Sequence, residues 1–201
     1  IVKNPDLFEL PDQTLLDRIE PRWFSASDPA PAVVMTTAIM YNSDLVSDAE
    51  VPTSYAELAD EKWRGKIQMG DPAASSIAYS QVIGMYNAGG WELVEEVAKN
   101  LIISDNYAGP RAVSDGESPL GLYNEPSILE LVVGGNPQVE MSHPKEGVIP
   151  VLTNLAMIKG TSRSDSAQAF IEWLLSDEGQ AVAANDVVGL RPTTIGAPDA
   201  K

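Results

Sequence analysis

Lys66-Ile67-Gln68-Met69-Gly70-Asp71-Pro72-Ala73-Ala74-Ser75-Ser76-Ile77 is the stretch that decides the fold class of this chain. Lys66–Met69 reads as a short strand, and Gly70–Ser76 is a loop built from turn formers. Ile77, Val82, Ile83, Met85 and Tyr86 then define an apolar helix that stops at Gly89-Gly90. A strand feeding a helix through a tight polar loop is the repeating unit of α/β proteins. The pattern continues downstream. Trp91–Leu101 is amphipathic, with Trp91, Val94, Val97, Ala98 and Leu101 at helical spacing. Leu101–Ser104 reads as a strand, Pro110–Asp115 as a helix, Leu120–Tyr123 as a strand, Glu125–Val133 as a helix and Val139–His143 as a strand. Alternation at this pitch predicts an α/β protein with a largely parallel sheet.

Upstream, residues 1–31 are rich in Pro and Asp, with one helix expected over Asp12–Ile19 before Pro21, Pro29 and Pro31 break regular structure. Ala32–Met40 reads as a single strand ending at the polar turn Tyr41-Asn42-Ser43-Asp44. Ser54 with Glu57 has the spacing of a capping box, which predicts a helix running toward Gly65. Downstream, Leu152–Ile158 reads as a strand. Asp165–Leu175 carries Ala167, Phe170, Ile171, Leu174 and Leu175 on one stripe, with Ser162 at capping-box spacing before it. A helix over Asp177–Ala184 and an irregular Pro-containing tail close the chain.

Composition narrows the chemistry. Asp plus Glu total 29 against 13 Lys plus Arg, a formal charge of −16, and a field of that sign repels nucleic-acid backbones and anionic lipid. It does not bar a small anion, because a pocket is governed by the few groups that line it. The absence of Cys removes disulfides, thiolate catalysis and cysteine-ligated zinc. No apolar run is long enough to span a bilayer. Ile1-Val2-Lys3-Asn4-Pro5 is not a signal sequence, and the missing initiator Met reads as a cut or processed start. His143 is the single histidine, and its position between Ser142 and Pro144 reads as a loop residue. With no histidine set beside a serine, no nucleophile–base pair assembles and no catalytic residue is assigned. The four tryptophans read as packing residues, with Trp23 alone placed where it could reach a ligand.

Several stretches, in order, resemble the periplasmic substrate-binding proteins of ABC importers, in the branch of ferric-ion, phosphonate and sugar-phosphate binders. Tyr41-Asn42-Ser43-Asp44-Leu45-Val46 is similar to the family's hinge exit. Ser54-Tyr55-Ala56-Glu57-Leu58 followed by Trp63-Arg64-Gly65-Lys66-Ile67 resembles its next signature, and Asp71-Pro72-Ala73-Ala74-Ser75-Ser76 its Asp-Pro-x-x-Ser loop. Gly109-Pro110, Val113, Gly116-Glu117 and Gly121-Leu122 match the approach to the second ligand-facing strand. Ile158-Lys159-Gly160 and Ala167 through Gly179-Gln180 resemble the family's close. The resemblance covers residues 36–193.

It implies a type II periplasmic-binding-protein-like bilobal α/β fold. The first lobe and hinge strand would take residues 1–40, the second lobe 41–157, the return to the first lobe 158–190, and a tail 191–201. Family members begin with a strand–helix unit that has no counterpart in residues 1–31, so the chain resembles a member lacking its N-terminal third. An incomplete first lobe would expose the Phe170, Ile171 and Leu174 stripe and favour self-association.

The implied role is capture of a small anionic ligand, phosphate- or phosphonate-bearing, for delivery to ABC permease subunits in the inner membrane. The protein would be periplasmic, or extracellular and membrane-anchored, with no nucleic-acid partner, no cofactor and no metal site. The Asp71–Ser76 loop suits this on its own chemistry, since a strand-to-helix loop presents free amides and the Ser75 and Ser76 hydroxyls at the positive end of a helix. Simple capping by either serine is the other reading. Asn106 and Tyr107 open a second such loop, where the family places a cleft asparagine. Asn124 and Glu125 follow a strand where the ferric branch carries Asn-x-Tyr-Tyr, and Asn124-Glu125-Pro126-Ser127 lacks that tyrosine pair. Ferric-ion binding and a ligand-sensing domain of a regulator are the alternatives, and an enzyme on the same fold is a third.

Overall fold

The computed structural model describes residues 4–23, 29–105 and 107–197. The chain divides into two units, one of residues 1–35 and 152–201 and one of residues 36–151.

The first unit opens with β1 (Phe8–Glu9), the short helix α1 (Gln13–Leu16) and β2 (Ala30–Met35). Asp12 caps α1, its carboxylate accepting from the Leu15 amide at 3.0 Å. The chain then enters the second unit at Thr36. The continuous apolar run read as one strand over 32–40 is therefore two: β2, and β3 (Thr37–Asn42) in a different sheet. Both are buried on both faces, so neither shows the alternation that would have revealed the change of sheet.

The second unit continues with two short 3₁₀ turns, Ala56–Ala59 and Glu61–Trp63, where a helix was expected. The capping chemistry is present but displaced. The Glu57 amide donates to the Ser54 hydroxyl at 3.3 Å, while the Glu57 carboxylate accepts from the Thr53 amide at 2.7 Å. Next come β4 (Ile67–Gly70), α2 (Ser76–Ala98), β5 (Leu101–Ser104), α3 (Ala108–Ser114), β6 (Leu120–Asn124), α4 (Glu125–Val133) and β7 (Val139–Ser142). Within α2, Gly89 and Gly90 leave the helical conformation, Gly90 at φ 68°, so the element is two helices that meet at a kink where the sequence places the first helix's stop.

The sheet order is β5-β4-β6-β3-β7. β4 is parallel to β5 and β6, whereas β3 is antiparallel to both β6 and β7, so the sheet is mixed. Alternate residues serve its two faces. Ile39, Ile67, Met69, Leu120 and Leu122 join Tyr55, Leu58 and Met85 in the larger core, while Ala38, Met40 and Tyr123 pack with Val113 and Ile128. Each fully buried aliphatic side chain contributes roughly 1.5–3 kcal/mol. The hydroxyl end of the Tyr55 ring packs against α2 at Gly84, where an added Cβ would meet Tyr55 Cζ at 2.6 Å and Cε2 at 3.0 Å. Its hydroxyl donates to Gln81 Oε1 at 3.2 Å.

The chain returns through β8 (Val151–Leu155) and β9 (Met157–Ile158), followed by α5 (Ser164–Leu174), α6 (Asp177–Asp186) and β10 (Arg191–Pro192). β10 and β8 flank β2 in a three-stranded sheet, and β1 pairs antiparallel with β9. Residues 191–192 are thus strand, not irregular tail. The boundaries between units fall at 35/36 and 151/152 and not at 40/41 and 157/158, because each crossing segment changes sheet earlier than its hydropathy shows. Arg163, not Ser162, occupies the N-cap of α5, with no side-chain cap bond. Of the apolar stripe on α5, Ile171 and Leu175 are buried against Leu15 and Leu16, while Phe170 is exposed. Trp23 lines this same core, and Trp91, expected to be a packing residue, is 62% exposed beside Tyr86.

Gln180 organises the first unit. Its amide nitrogen donates to the carbonyls of Ala32 and Leu174 at 2.8 and 2.9 Å, and its oxygen accepts from the Thr193 amide at 2.7 Å. This one fully buried side chain therefore ties β2, the end of α5 and the segment after β10 together. Gln180→Met should strand the Leu174 carbonyl and the Thr193 amide and lower stability by about 2–4 kcal/mol in denaturant unfolding. Gly84→Ala should displace the Tyr55 ring and cost about 1–3 kcal/mol in the same measurement, as overpacking does.

Candidate strand-end anion site

The register of the central sheet determines what can meet. Gly70 at the end of β4 pairs with Ser104 at the end of β5, and Met69 pairs with Leu122, placing the end of β6 at the same level. β7 runs in the direction of β6, because both are antiparallel to β3, and it ends at Ser142 opposite Ile39. The loops at 71–75, 105–107, 124–125 and 142–143 therefore leave one edge of one sheet, the edge at which open α/β sheets hold ligands.

Ser75 and Ser76 have separate tasks. Ser75 is buried and caps α2, its hydroxyl accepting from the Ala78 amide at 3.3 Å. The loop before it is folded by Asp71, whose backbone carbonyl accepts from the Ala74 and Ser75 amides and whose carboxylate accepts from the Ala73 amide. Ser76 is the first residue of α2 and is exposed. Among the described residues, the Ser76 and Ile77 amides and the Ser76 hydroxyl have no hydrogen-bond partner. They sit at the positive end of α2.

The second loop differs from expectation. Asn106 lies outside the described residues. Tyr107 is 85% exposed, and its amide and that of Ala108 both donate to the Asp105 carboxylate at 2.7 Å. Those two bonds hold the Asp105 carboxyl below the usual carboxylate range. Among the described residues of this loop, the Tyr107 and Ala108 amides are thus already engaged by an internal anion, and the Tyr107 side chain is exposed.

Asn124 closes β6 and is buried, its side-chain oxygen accepting from the Ser127 hydroxyl at 2.7 Å. Glu125 donates its amide to the Thr36 carbonyl at 2.9 Å, and its nearly inaccessible carboxylate meets His143 Nε2 at 2.6 Å. His143 is therefore no idle loop residue. It reaches across the start of β3 to a carboxylate buried at this edge, a pairing made by sheet order and invisible in local sequence. Tyr123, one residue before Asn124, points the other way, bonded to Ser104 at 3.1 Å, and burial pushes its phenol up to about 12.

A cavity of about 400 Å³ opens here, with Ile77, Tyr107 and Asn124 each contributing to its lining. Its lining joins the second residue of α2 to residues of two strand-end loops, and its size suits a small molecule. Among the described residues, no group of three or more His, Asp or Glu side chains is arranged to hold a metal ion, and no helix is long and apolar enough to cross a membrane.

The chain is similar to iron uptake protein A1 of Synechocystis, with 29% identity over 74% of this chain and 45% of that protein. Among solved structures, it is similar to a two-component system protein that mediates signal transduction, with TM-score 0.87 and 18% identity over 96% of this chain and 66% of the other. It is also similar to the periplasmic binding protein AfuA from Actinobacillus pleuropneumoniae with exogenous fructose-6-phosphate bound, with TM-score 0.80 and 21% identity over 96% of this chain and 65% of that one. These structural likenesses establish the α/β fold of type II periplasmic binding proteins, and the chain spans under half of the curated relative's length. Residues 3–199, nearly the whole chain, match the bacterial extracellular solute-binding protein family, and the chain belongs to that family.

Proposed function

We propose that the protein captures a small phosphate- or phosphonate-bearing anion at the strand-end edge of its central sheet and hands it to the permease of an ABC importer. The observation that carries this reading is the pair of amides at Ser76 and Ile77, with the Ser76 hydroxyl, which have no partner among the described residues and stand at the positive end of α2, where Ile77 lines a cavity together with Asn124 and Tyr107. An oxyanion set there completes amides that otherwise have water alone, and its bonds are charge-assisted. Ser76, Tyr107 and Asn124 are the contact residues in this reading. Ser75 fixes the helix start, and Glu125 acts by orienting His143. The role is binding, in a periplasmic or extracellular setting, as the family membership supports.

Ferric-ion capture is the second reading. It is favoured by the iron-related name of the Synechocystis relative and by the exposed Tyr107 phenol, a hard oxygen donor of the kind Fe(III) prefers. The absent tyrosine pair after Asn124 weighs against it.

Calorimetric titration separates the two. Ser76→Ala should weaken binding of a phosphate ester by about 1.5–3 kcal/mol, the value of a hydrogen bond to a charged group, without abolishing it, since the helix amides remain. Ser75→Ala should instead lower thermal stability, by about 1 kcal/mol for loss of the cap. Unchanged phosphate affinity in Ser76→Ala would remove this loop from the site. Tight Fe(III) binding indifferent to phosphate would establish the second reading.

A further inference from the structure

The central sheet has two edges, and they are built differently. β7 forms one edge and carries Glu140, whose carboxylate accepts from the Tyr41 hydroxyl at 2.7 Å, and Pro144 follows the strand. Charge and proline are common guards against the addition of a further strand. β5 forms the other edge as Leu101-Ile102-Ile103-Ser104, with no charge, no proline and an unbroken register against β4. Ile102 and Ile103 point to opposite faces, yet they are 37% and 56% exposed, so among the described residues neither face of this edge is fully covered.

The register decides which backbone groups lie open. Ile67 pairs with Leu101, and its amide donates to the Asn100 carbonyl at 3.3 Å. Asn100 and Ile102 therefore turn their backbone groups toward β4, and by alternation Leu101 and Ile103 turn theirs outward. Among the described residues, those outward groups have no hydrogen-bond partner. A strand added antiparallel must bond outward residues to outward residues. β5 meets that demand with itself. About a two-fold axis at Ile102, Leu101 of each copy faces Ile103 of the other, with two backbone bonds at each of these two facing pairs. The same register sets Ile102 opposite Ile102 and brings Lys99 of each copy toward Asp105 of the other. Both residues are exposed, and Lys99 has only a surface neighbour, Glu96, at 2.6 Å among the described residues. An axis at Leu101 or at Ile103 also matches outward groups, but it sets Lys99 against Ile103 or Asp105 against Leu101, a charge opposite an apolar side chain. The complementary charges flanking the strand favour a second copy of this chain as the occupant, at a locally neutral seam in a protein of formal charge −16.

We propose that β5 is a homodimerisation edge, on which a second copy adds its own β5 antiparallel in the register centred at Ile102, so that the two central sheets become one. The inference is independent of the strand-end reading, because antiparallel pairing turns the two strand-end edges in opposite directions.

The chain has no cysteine, so a single introduced thiol reports the register. Directly opposed residues of a non-hydrogen-bonded antiparallel pair have Cα atoms about 4.5 Å apart, within disulfide reach, whereas Ile103 and its copy would be roughly 8 Å apart. With oxidised glutathione, Ile102→Cys should form a covalent dimer and Ile103→Cys should not. Sedimentation equilibrium of the full wild-type chain should show a reversible monomer–dimer exchange as concentration rises. Ile103→Pro removes an outward amide and no bond to β4, and should weaken the dimer about tenfold or more. Lys99→Glu, which sets like charges opposite each other, should weaken it about threefold or more. Phe170→Glu, on the exposed face of α5, should leave it unchanged. A wild type that stays monomeric at millimolar concentration overturns the proposal, as does equal cross-linking of the two cysteine variants. A dimer lost in Phe170→Glu and kept in Ile103→Pro assigns self-association to α5 and also overturns it. Should Ile103→Pro fail to fold, the two cysteine variants decide the matter alone.

Discussion

The parallel register of β4 against β5 and β6 is the constraint on which the site depends. Pairing of Gly70 with Ser104 and of Met69 with Leu122 brings three strand ends to one level, so the loops that follow them open side by side. The same register sends Ile67, Met69, Leu120 and Leu122 into one core and Tyr123 into the other. A slip of one residue would exchange those faces and strand large apolar groups on the wrong side of the sheet. The hydrophobic demand of two cores thus holds the polar edge in place, and function inherits its geometry from packing.

Within that edge the chemistry is divided among residues that look equivalent in sequence. Ser75 and Ser76 are neighbours, yet one is buried as a cap and the other stands open at the first helical position. The start of α3 offers the same kind of amides as the start of α2, but Asp105 has claimed them. A carboxylate at that point repels anions from α3 and leaves α2 as the stronger attractor. The Glu125–His143 pair lies over the beginning of β3, with the Glu125 amide on the Thr36 carbonyl, and so holds the first residues of the central unit to the sheet edge.

Much of this was legible in the residues. The strand–loop–helix alternation from Lys66 to Val133 survives closely, because turn formers punctuate it, down to the break at Gly89-Gly90. The resemblance at Gly179-Gln180 pointed to the family, and the structure supplies its physical sense as a buried hydrogen-bond hub. Three features were not legible. The run over 32–40 is apolar throughout, and periodicity cannot locate a change of sheet in a strand buried on both faces. The Glu57 carboxylate reaches back one residue further than a capping box does and closes a 3₁₀ turn. His143 gains its partner only through the order of β6, β3 and β7, which local sequence does not encode.

The central claim is that an anion binds where α2 begins at the strand-end edge. Amide NMR of the isotopically labelled protein during titration with inorganic phosphate tests it most directly, since it reports on every backbone N–H at once. The account predicts the largest shifts at Ser76 and Ile77, smaller ones at Tyr107 and Asn124, and none at the opposite end of the sheet around Gly65 and Lys66. Shifts confined to that opposite end, or saturating phosphate that leaves Ser76 and Ile77 unmoved, would contradict it.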